Sequence, residues 1–123
     1  MPSGSRERIT SALIIAEPWI GSILAGRKTW EMRTKPVRKR GRIGLIRKGS
    51  GLVVGEATLI DSLPALSEAQ MLASIDKHCI PADMIRRGEV AKWIYPWVLE
   101  EVVRYSDPRP YKHPNGAVTW VDI

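Results

Sequence analysis

The sequence contains few of the residues on which several common kinds of chemistry depend. Of its 123 residues, one is cysteine, two are histidine and none is phenylalanine. The single thiol, Cys79, cannot form an internal disulfide or a CxxC zinc site, which is typical of a reducing compartment, and we predict that it is buried and inert. His78 has no further metal ligands at useful spacing, and no Walker loop or HExxH segment occurs. We therefore expect neither a metal nor a cofactor.

Long apolar runs are also missing. The longest near the N-terminus, Ala12–Ala16, is too short to cross a bilayer, and the charged residues 6–8 lack the features of a signal peptide. We predict a cytoplasmic protein that does not contact a membrane. The length suits one domain, so residues 1–10 are predicted as a flexible N-terminal segment and residues 11–123 as a single domain. The sequence leaves the oligomeric state open.

Acidic residues are absent from residues 33–48, although the whole chain has 13 of them against 19 lysines and arginines, a net charge of +6. The basic residues of this segment are Arg33, Lys35, Arg38, Lys39, Arg40, Arg42, Arg47 and Lys48. A local positive field of this kind favours contact with the phosphates of a nucleic acid, and would position the ligand without reading its sequence. A basic loop that is simply solvated is the simpler interpretation, and the sequence is compatible with both the phosphate-binding and the solvated loop.

Hydrophobic periodicity and turn residues predict more strands than helices. Strands are predicted at 11–16, 29–33, 42–47, 52–61, 97–105 and 117–121, and helices at 17–25, 67–77 and 81–87. Gly26 and Gly88 are predicted to end helices, and Ser67 with Gln70 forms a capping-box pattern. Pro108 and Pro110 are expected to break the chain after the fifth strand. The fold class is therefore α+β, a small mixed β-barrel of about six strands with two or three flanking helices.

One segment carries a more specific signal. Residues 26–33 have the pattern G-x-K-x-x-E-x-R, formed by Gly26, Lys28, Glu31 and Arg33, directly after a short predicted helix. With the strand that follows and the glycine-bearing basic hairpin, this segment resembles the ASCH family, and the likeness extends over most of the chain. The resemblance implies a PUA-like barrel and RNA binding. Some ASCH members are ribonucleases, and others are amidohydrolases that deacylate N4-acylated cytidine.

The resemblance also implies roles for three residues. Lys28 and Glu31 match the family's functional lysine and acidic position, and Arg33 matches its basic position. In the deacylating branch a threonine replaces Glu31, which argues against that substrate here. A carboxylate between cations can act as general base while the cations stabilise a developing oxyanion, although Glu31 and Arg33 could equally form a structural ion pair. Lys28 has the opposite strand parity to Glu31, so the two can share a cleft only if Lys28 precedes the strand.

The aromatic residues and a late loop complete the candidate site. We predict that Trp19, Trp93, Trp97 and Trp120 pack in the core or at a barrel end. Trp30 is the candidate for stacking a nucleobase, although its parity directs it toward the core. Tyr111 and His113 lie in a proline-broken loop that could fold over the cleft, or could simply be exposed.

Three functions remain after these observations. The first is a module that binds RNA, another single-stranded nucleic acid or a modified nucleoside through a basic cleft around the GxKxxExR motif. The second is a metal-independent hydrolase, a ribonuclease or nucleoside amidohydrolase, with Glu31 as general base, Lys28 as electrophilic stabiliser and Arg33 as clamp. The third is a small interaction domain whose basic face meets an acidic protein.

Overall fold

The computed structural model describes residues 8–123, so most of the predicted flexible segment, residues 1–7, lies outside the described residues. Ten elements follow in order: β1 Ser11–Ile15, α1 Trp19–Leu24, β2 Trp30–Arg33, β3 Gly41–Arg47, β4 Leu52–Ser62, α2 Glu68–Ala73, α3 Ile75–His78, α4 Ala82–Arg86, β5 Tyr95–Pro110 and β6 Trp120–Asp122. None of these helices is long and apolar enough to cross a bilayer. All six predicted strands are present, with boundaries that mostly agree within two residues.

The six strands form one sheet in the order β2-β5-β4-β3-β1-β6. Only β1 and β3 are parallel among these pairs; the other neighbours are antiparallel. The sheet curls so that its two ends approach each other: Arg33 on β2 donates through Nη2 to the Ile14 carbonyl on β1 at 2.7 Å. At the same gap, Trp97 and Trp120 stack with ring centroids 6.0 Å apart. The fold is thus an α+β half-barrel of the PUA-like kind, as predicted.

The longest strand, β5, departs from the prediction. It continues through Pro108 to Pro110, where the sequence predicted a break, and pairs there with the start of β4. Its other neighbour, β2, pairs only with residues 95–98, so the far half of β5 is an edge on that side. A proline is tolerated on an edge because its missing N–H can face away from the ladder. Bulges, including one with Glu101 at φ 51°, bend β5 along its length.

Local hydrogen bonds explain where the helices begin and end. After α1, Gly26 at φ 81° donates to the Ile23 carbonyl and Arg27 to the Ser22 carbonyl, the pair of bonds that defines a Schellman stop. The Ser67 capping box also forms. The single helix predicted over 67–77 is divided into α2 and α3 at Ser74, whose hydroxyl donates to the Gln70 carbonyl at 2.7 Å. Such a local bond competes with the helical ladder.

Three apolar clusters hold these layers together. The largest lies inside the half-barrel and includes Leu13, Leu45 and Trp97. A second, around Ile14 and Ile46, covers the outer face. A third joins β2 to the short helices, with Met32, Met71, Ile80 and Ile85 fully or almost fully buried. Because the third cluster fixes the helices beside β2, it forms one wall of the cleft described next.

Candidate functional site

A cleft of about 370 Å³ lies at the gap in the half-barrel, next to the short helices. It is lined by Ile14, Ala16, Trp19, Lys28, Glu31, Met32, Arg33, Lys48, Ile80, Met84, Glu89, Val90, Trp93 and Val118. Its volume falls at the small end of the range for ligand sites. The three charged residues of the GxKxxExR motif therefore line one cavity.

The turn before β2 makes this convergence possible. The Schellman stop at Gly26 and a bond from Lys28 N to the Ser22 carbonyl at 3.1 Å fix the turn, and β2 begins only at Trp30. Lys28 thus precedes the strand and escapes its alternation, so its side chain can point toward Glu31. This meets the condition that the sequence imposed on a shared cleft.

Lys28 is held in an unusual environment for a lysine, with only 1% of the residue exposed. Its Nζ donates to the His78 carbonyl at 2.7 Å, lies 3.7 Å from Glu31 Oε1, and lies 5.2 Å from the Trp19 ring centroid. Burial lowers the pKa of Lys28, and the nearby Glu31 carboxylate opposes that shift only in part. The ammonium is therefore destabilised relative to water.

His78 holds Lys28 in position through its backbone carbonyl, which accepts the hydrogen bond from Lys28 Nζ. The Ile80 N–H donates to His78 Nδ1 at 2.9 Å, so Nε2 carries the proton and donates to the Met71 carbonyl at 2.7 Å. The ring is completely buried, and burial lowers its pKa. The sequence interpretation considered His78 only as a metal ligand and missed this supporting role. Among residues 8–123 no group of three or more potential metal-ligating side chains occurs.

Glu31 and Arg33 form the floor of the cleft. Arg33 Nε and Nη2 both approach the same carboxylate oxygen, Glu31 Oε2, at 2.9 and 2.8 Å. The other oxygen, Oε1, faces Lys28. Arg33 also packs over the Trp97 ring, 5.5 Å from its centroid. The arginine consequently connects the Glu31 carboxylate with the Ile14 carbonyl on β1 and the Trp97 ring on β5.

The mouth of the cleft is partly apolar. Trp93 is 44% exposed and Val118 is 78% exposed, whereas the sequence predicted that Trp93 packs in the core or at a barrel end. That prediction is wrong because Trp93 lies in the irregular segment between α4 and β5, where the chain runs over the surface. Lys48 and Glu89 add one charge of each sign, so the cleft's three cations exceed its two carboxylates.

The other predicted nucleic-acid contacts lie mainly outside the cleft, with Lys48 the exception. Lys35 and Arg38 are exposed in the loop after β2, where Lys39 lies over Trp120 and Arg40 lies 3.7 Å from Asp61. Arg47 pairs with Glu17. Arg42 pairs with Glu56 on the outer face of the sheet at 2.9 Å. The run of basic residues is thus distributed over several surfaces, and part of it serves internal ion pairs.

Three further predicted residues have distinct positions. Trp30 shares a face with Met32 and packs against the third apolar cluster, as its parity predicted, so the aromatic residues that line the cleft are Trp19 and Trp93. Cys79 is partly exposed rather than buried; it follows the last residue of α3, at the surface end of this short helix, and has a left-handed conformation with φ 63°. Tyr111 and His113 do not line the cleft, but they line an adjoining cavity.

The geometry defines a class of protein: a PUA-like half-barrel with a charged cleft in its gap. A family model described as ASCH domain matches residues 13–110, so the chain belongs to the ASCH domain family, which is associated with RNA binding. Confirmation of the family comes from that match, since the motif alone did not establish it.

Solved structures with the same fold include an ASCH protein from Zymomonas mobilis. The TM-score is 0.69 at 14% identity, with 95% of this chain and 89% of that chain covered. A single-substitution variant of that protein gives a TM-score of 0.68 at 14% identity, covering 94% and 91%. At this identity the likeness concerns the fold alone. No curated protein matches the sequence with statistical significance.

Proposed function

We propose that the cleft binds one unpaired nucleotide of an RNA, or a modified nucleoside, with its polar groups toward Lys28, Glu31 and Arg33. The observation that carries this proposal is the division of the cleft into a charged floor and an exposed aromatic mouth. A nucleobase needs both a surface to stack on and polar groups to meet its edge. Trp93 supplies the first, and the motif supplies the second.

The charges of the cleft favour an anionic ligand. Lys28, Arg33 and Lys48 oppose Glu31 and Glu89, which leaves a surplus of one positive charge. The buried Lys28 ammonium gains most from a new anionic neighbour, because burial has already removed its water. Glu31 Oε1 can accept a hydrogen bond from a base or a sugar hydroxyl while Oε2 remains bound to Arg33.

Stacking on Trp93 provides a direct test. Base–aromatic stacking contributes about 1–3 kcal/mol per base. We expect Trp93→Ala to weaken the binding of a fluorescent single-stranded RNA at least about fivefold, by anisotropy at fixed low salt. The matched control is Val103→Ala, which removes an exposed apolar side chain from β5, away from the cleft. Equal affinities of Trp93→Ala and the parent would remove the proposed base site.

Hydrolysis is a second candidate function, and one contact favours it. Because both Arg33 nitrogens bind Oε2, Oε1 is the oxygen available to take a proton from water or a 2′-hydroxyl, and Lys28 lies 3.7 Å away to stabilise the developing charge. A pure binding module predicts that Glu31→Gln changes affinity. A hydrolase predicts that Glu31→Gln retains binding and loses turnover. Mass spectrometry of RNA and of acylated nucleosides, incubated in chelator with each protein, separates the two.

A further inference from the structure

A second cavity adjoins the cleft, and Lys48 lies between the two cavities. It has a volume of about 380 Å³, and its lining includes Ile14, Lys48, Tyr111, His113 and Val118. Three of these residues, Ile14, Lys48 and Val118, also line the cleft. The two cavities are therefore neighbours along one groove of the surface. Lys48 and Val118 form the ridge between them.

The wall of the second cavity is built by a fixed pair of rings. His113 Nε2 lies 2.9 Å from the Ala117 carbonyl, which can only accept, so Nε2 donates and Nδ1 is free of a proton. The Tyr111 hydroxyl consequently donates to His113 Nδ1 at 2.8 Å. The Tyr111 N–H also donates to the Gly51 carbonyl at 3.2 Å. Both rings are thus held in place before any ligand arrives.

These rings offer the second cavity an aromatic surface. Tyr111 is partly buried and packs against the second apolar cluster, around Ile14 and Ile46, whereas His113 is exposed. Their centroids lie 5.8 Å apart with planes inclined at 60°. A flat heteroaromatic ring entering the cavity can therefore contact Tyr111 or His113 and stack on one of them. The second cavity repeats, in simpler form, the aromatic element that Trp93 gives to the cleft.

Lys48 is placed to contact a charge between the two cavities. Its backbone is fixed by a bond from Lys48 N to the Ile15 carbonyl at 2.9 Å. Within residues 8–123 no carboxylate lies in salt-bridge distance of its Nζ, and the side chain is exposed. The glycines beside it, at φ 80° and 70°, carry no side chains that would obstruct a ligand. A phosphodiester lying over the ridge would meet this ammonium.

We infer that the groove takes a single strand of at least two nucleotides: one in the cleft, its neighbour against Tyr111 and His113, and their shared phosphate at Lys48. This inference rests on the proposed nucleotide site in the cleft and adds the class of ligand, an oligonucleotide rather than an isolated nucleoside. The reasons are the shared ridge, the unpaired lysine on it and the prebuilt aromatic wall beyond it.

The test compares ligands of different length. The probes are the four ribonucleosides and a mixture of RNA dinucleotides, titrated by NMR, with mass spectrometry to verify that the dinucleotides remain intact. We expect the dinucleotides to bind at least about fivefold more tightly than the nucleosides. His113→Ala and Lys48→Ala should each remove most of this advantage, whereas Lys112→Ala should leave the affinities of nucleosides and dinucleotides unchanged.

Matched controls lie close to both substitutions. Lys112→Ala changes an exposed lysine of the same loop, and Lys92→Ala changes an exposed lysine next to Trp93; neither residue lines the cleft or the second cavity. Tyr111→Phe keeps the ring and should reduce affinity less than His113→Ala. Nucleosides that bind as tightly as dinucleotides would overturn the second subsite while the cleft proposal stands. If neither ligand binds, both proposals fail.

Discussion

Two clusters in this molecule contain the same pair of residues, a buried glutamate and an arginine, and they differ in what surrounds the pair. In the cleft, Glu31 and Arg33 lie 2.8 Å apart. The second cluster lies on the outer face of the sheet, and we call it the outer cluster. In it, Arg42 Nε lies 2.9 Å from Glu56 Oε1. Both glutamates are 5% exposed. Burial and pairing therefore do not distinguish a site from a structural contact.

The outer cluster is satisfied by the fold itself. The Tyr105 hydroxyl donates to Glu56 Oε2 at 2.7 Å, and Arg42 donates to the Thr58 hydroxyl at 3.0 Å and to the Glu101 carbonyl at 2.7 Å. Burial, reinforced by the neighbouring Glu56 carboxylate, raises the pKa of Tyr105 to about 12. This network connects β3, β4 and β5, and neither member of its ion pair lines a cavity of the cleft's groove.

The cleft differs in two respects: it contains a third charged group, Lys28, and its charged residues face an open volume. A buried lysine beside an already paired carboxylate is poorly explained by stability, since burying ammonium groups is unfavourable. A ligand that restores negative charge would explain its presence. The comparison is consistent with a stabilising role for the outer cluster and with the ligand-binding role that we propose for the cleft, and three experiments can separate these roles.

The largest effect is expected from Glu56→Gln. The substitution leaves the Arg42 guanidinium without the carboxylate of Glu56 and removes a strong acceptor from Tyr105, and breaking such a buried pair costs about 3 kcal/mol or more. Urea denaturation should show this loss in the free energy of unfolding, with RNA binding unchanged in the folded fraction. The control is Glu100→Gln, an exposed glutamate on β5. A loss below about 1 kcal/mol would place the outer cluster among ordinary surface pairs.

The opposite result is expected for Lys28→Met. Arg33 still pairs with Glu31 in this variant, and the loss of an ammonium whose pKa burial has lowered removes an unfavourable group from the folded state. The free energy of unfolding should be equal or higher, by up to about 2 kcal/mol, while RNA affinity falls about tenfold.

Lys77→Met, at an exposed position in α3, is the control for hydrophobic replacement. If Lys28→Met unfolds more easily than the parent, Lys28 stabilises the fold and the contrast with the outer cluster disappears. If stability and RNA affinity are both unchanged, the cleft loses its most distinctive residue as a ligand contact.

The sequence predicted the parts of this comparison that depend on local order. Gly26 as a helix stop, the need for Lys28 to precede β2, and the shared face of Trp30 and Met32 all follow from residue spacing. The sequence did not predict the outer cluster, because Arg42 and Glu56 are brought together by the register of β3 on β4, which no local pattern encodes. The basic segment consequently suggested one surface, whereas long-range pairing distributes its residues over several.

The smallest expected effect is a change of stability with pH that arises from His78, the residue that holds Lys28. Burial lowers the pKa of His78, so the folded state disfavours protonation of this ring. In the unfolded chain a histidine titrates near about pH 6.5. Stability is therefore fully present above that value and is lost as the pH falls through the folded pKa, by at most about 1.4 kcal/mol per pH unit.

Urea denaturation between about pH 7.5 and 5.5 measures this loss in a window where most carboxylates remain ionised. His78→Gln should flatten the dependence, whereas His113→Gln, at an exposed position, should leave it intact. A parent protein whose stability does not change over this window would show that the folded state does not disfavour protonation of His78, and the comparison would then rest on Lys28 and Glu56 alone.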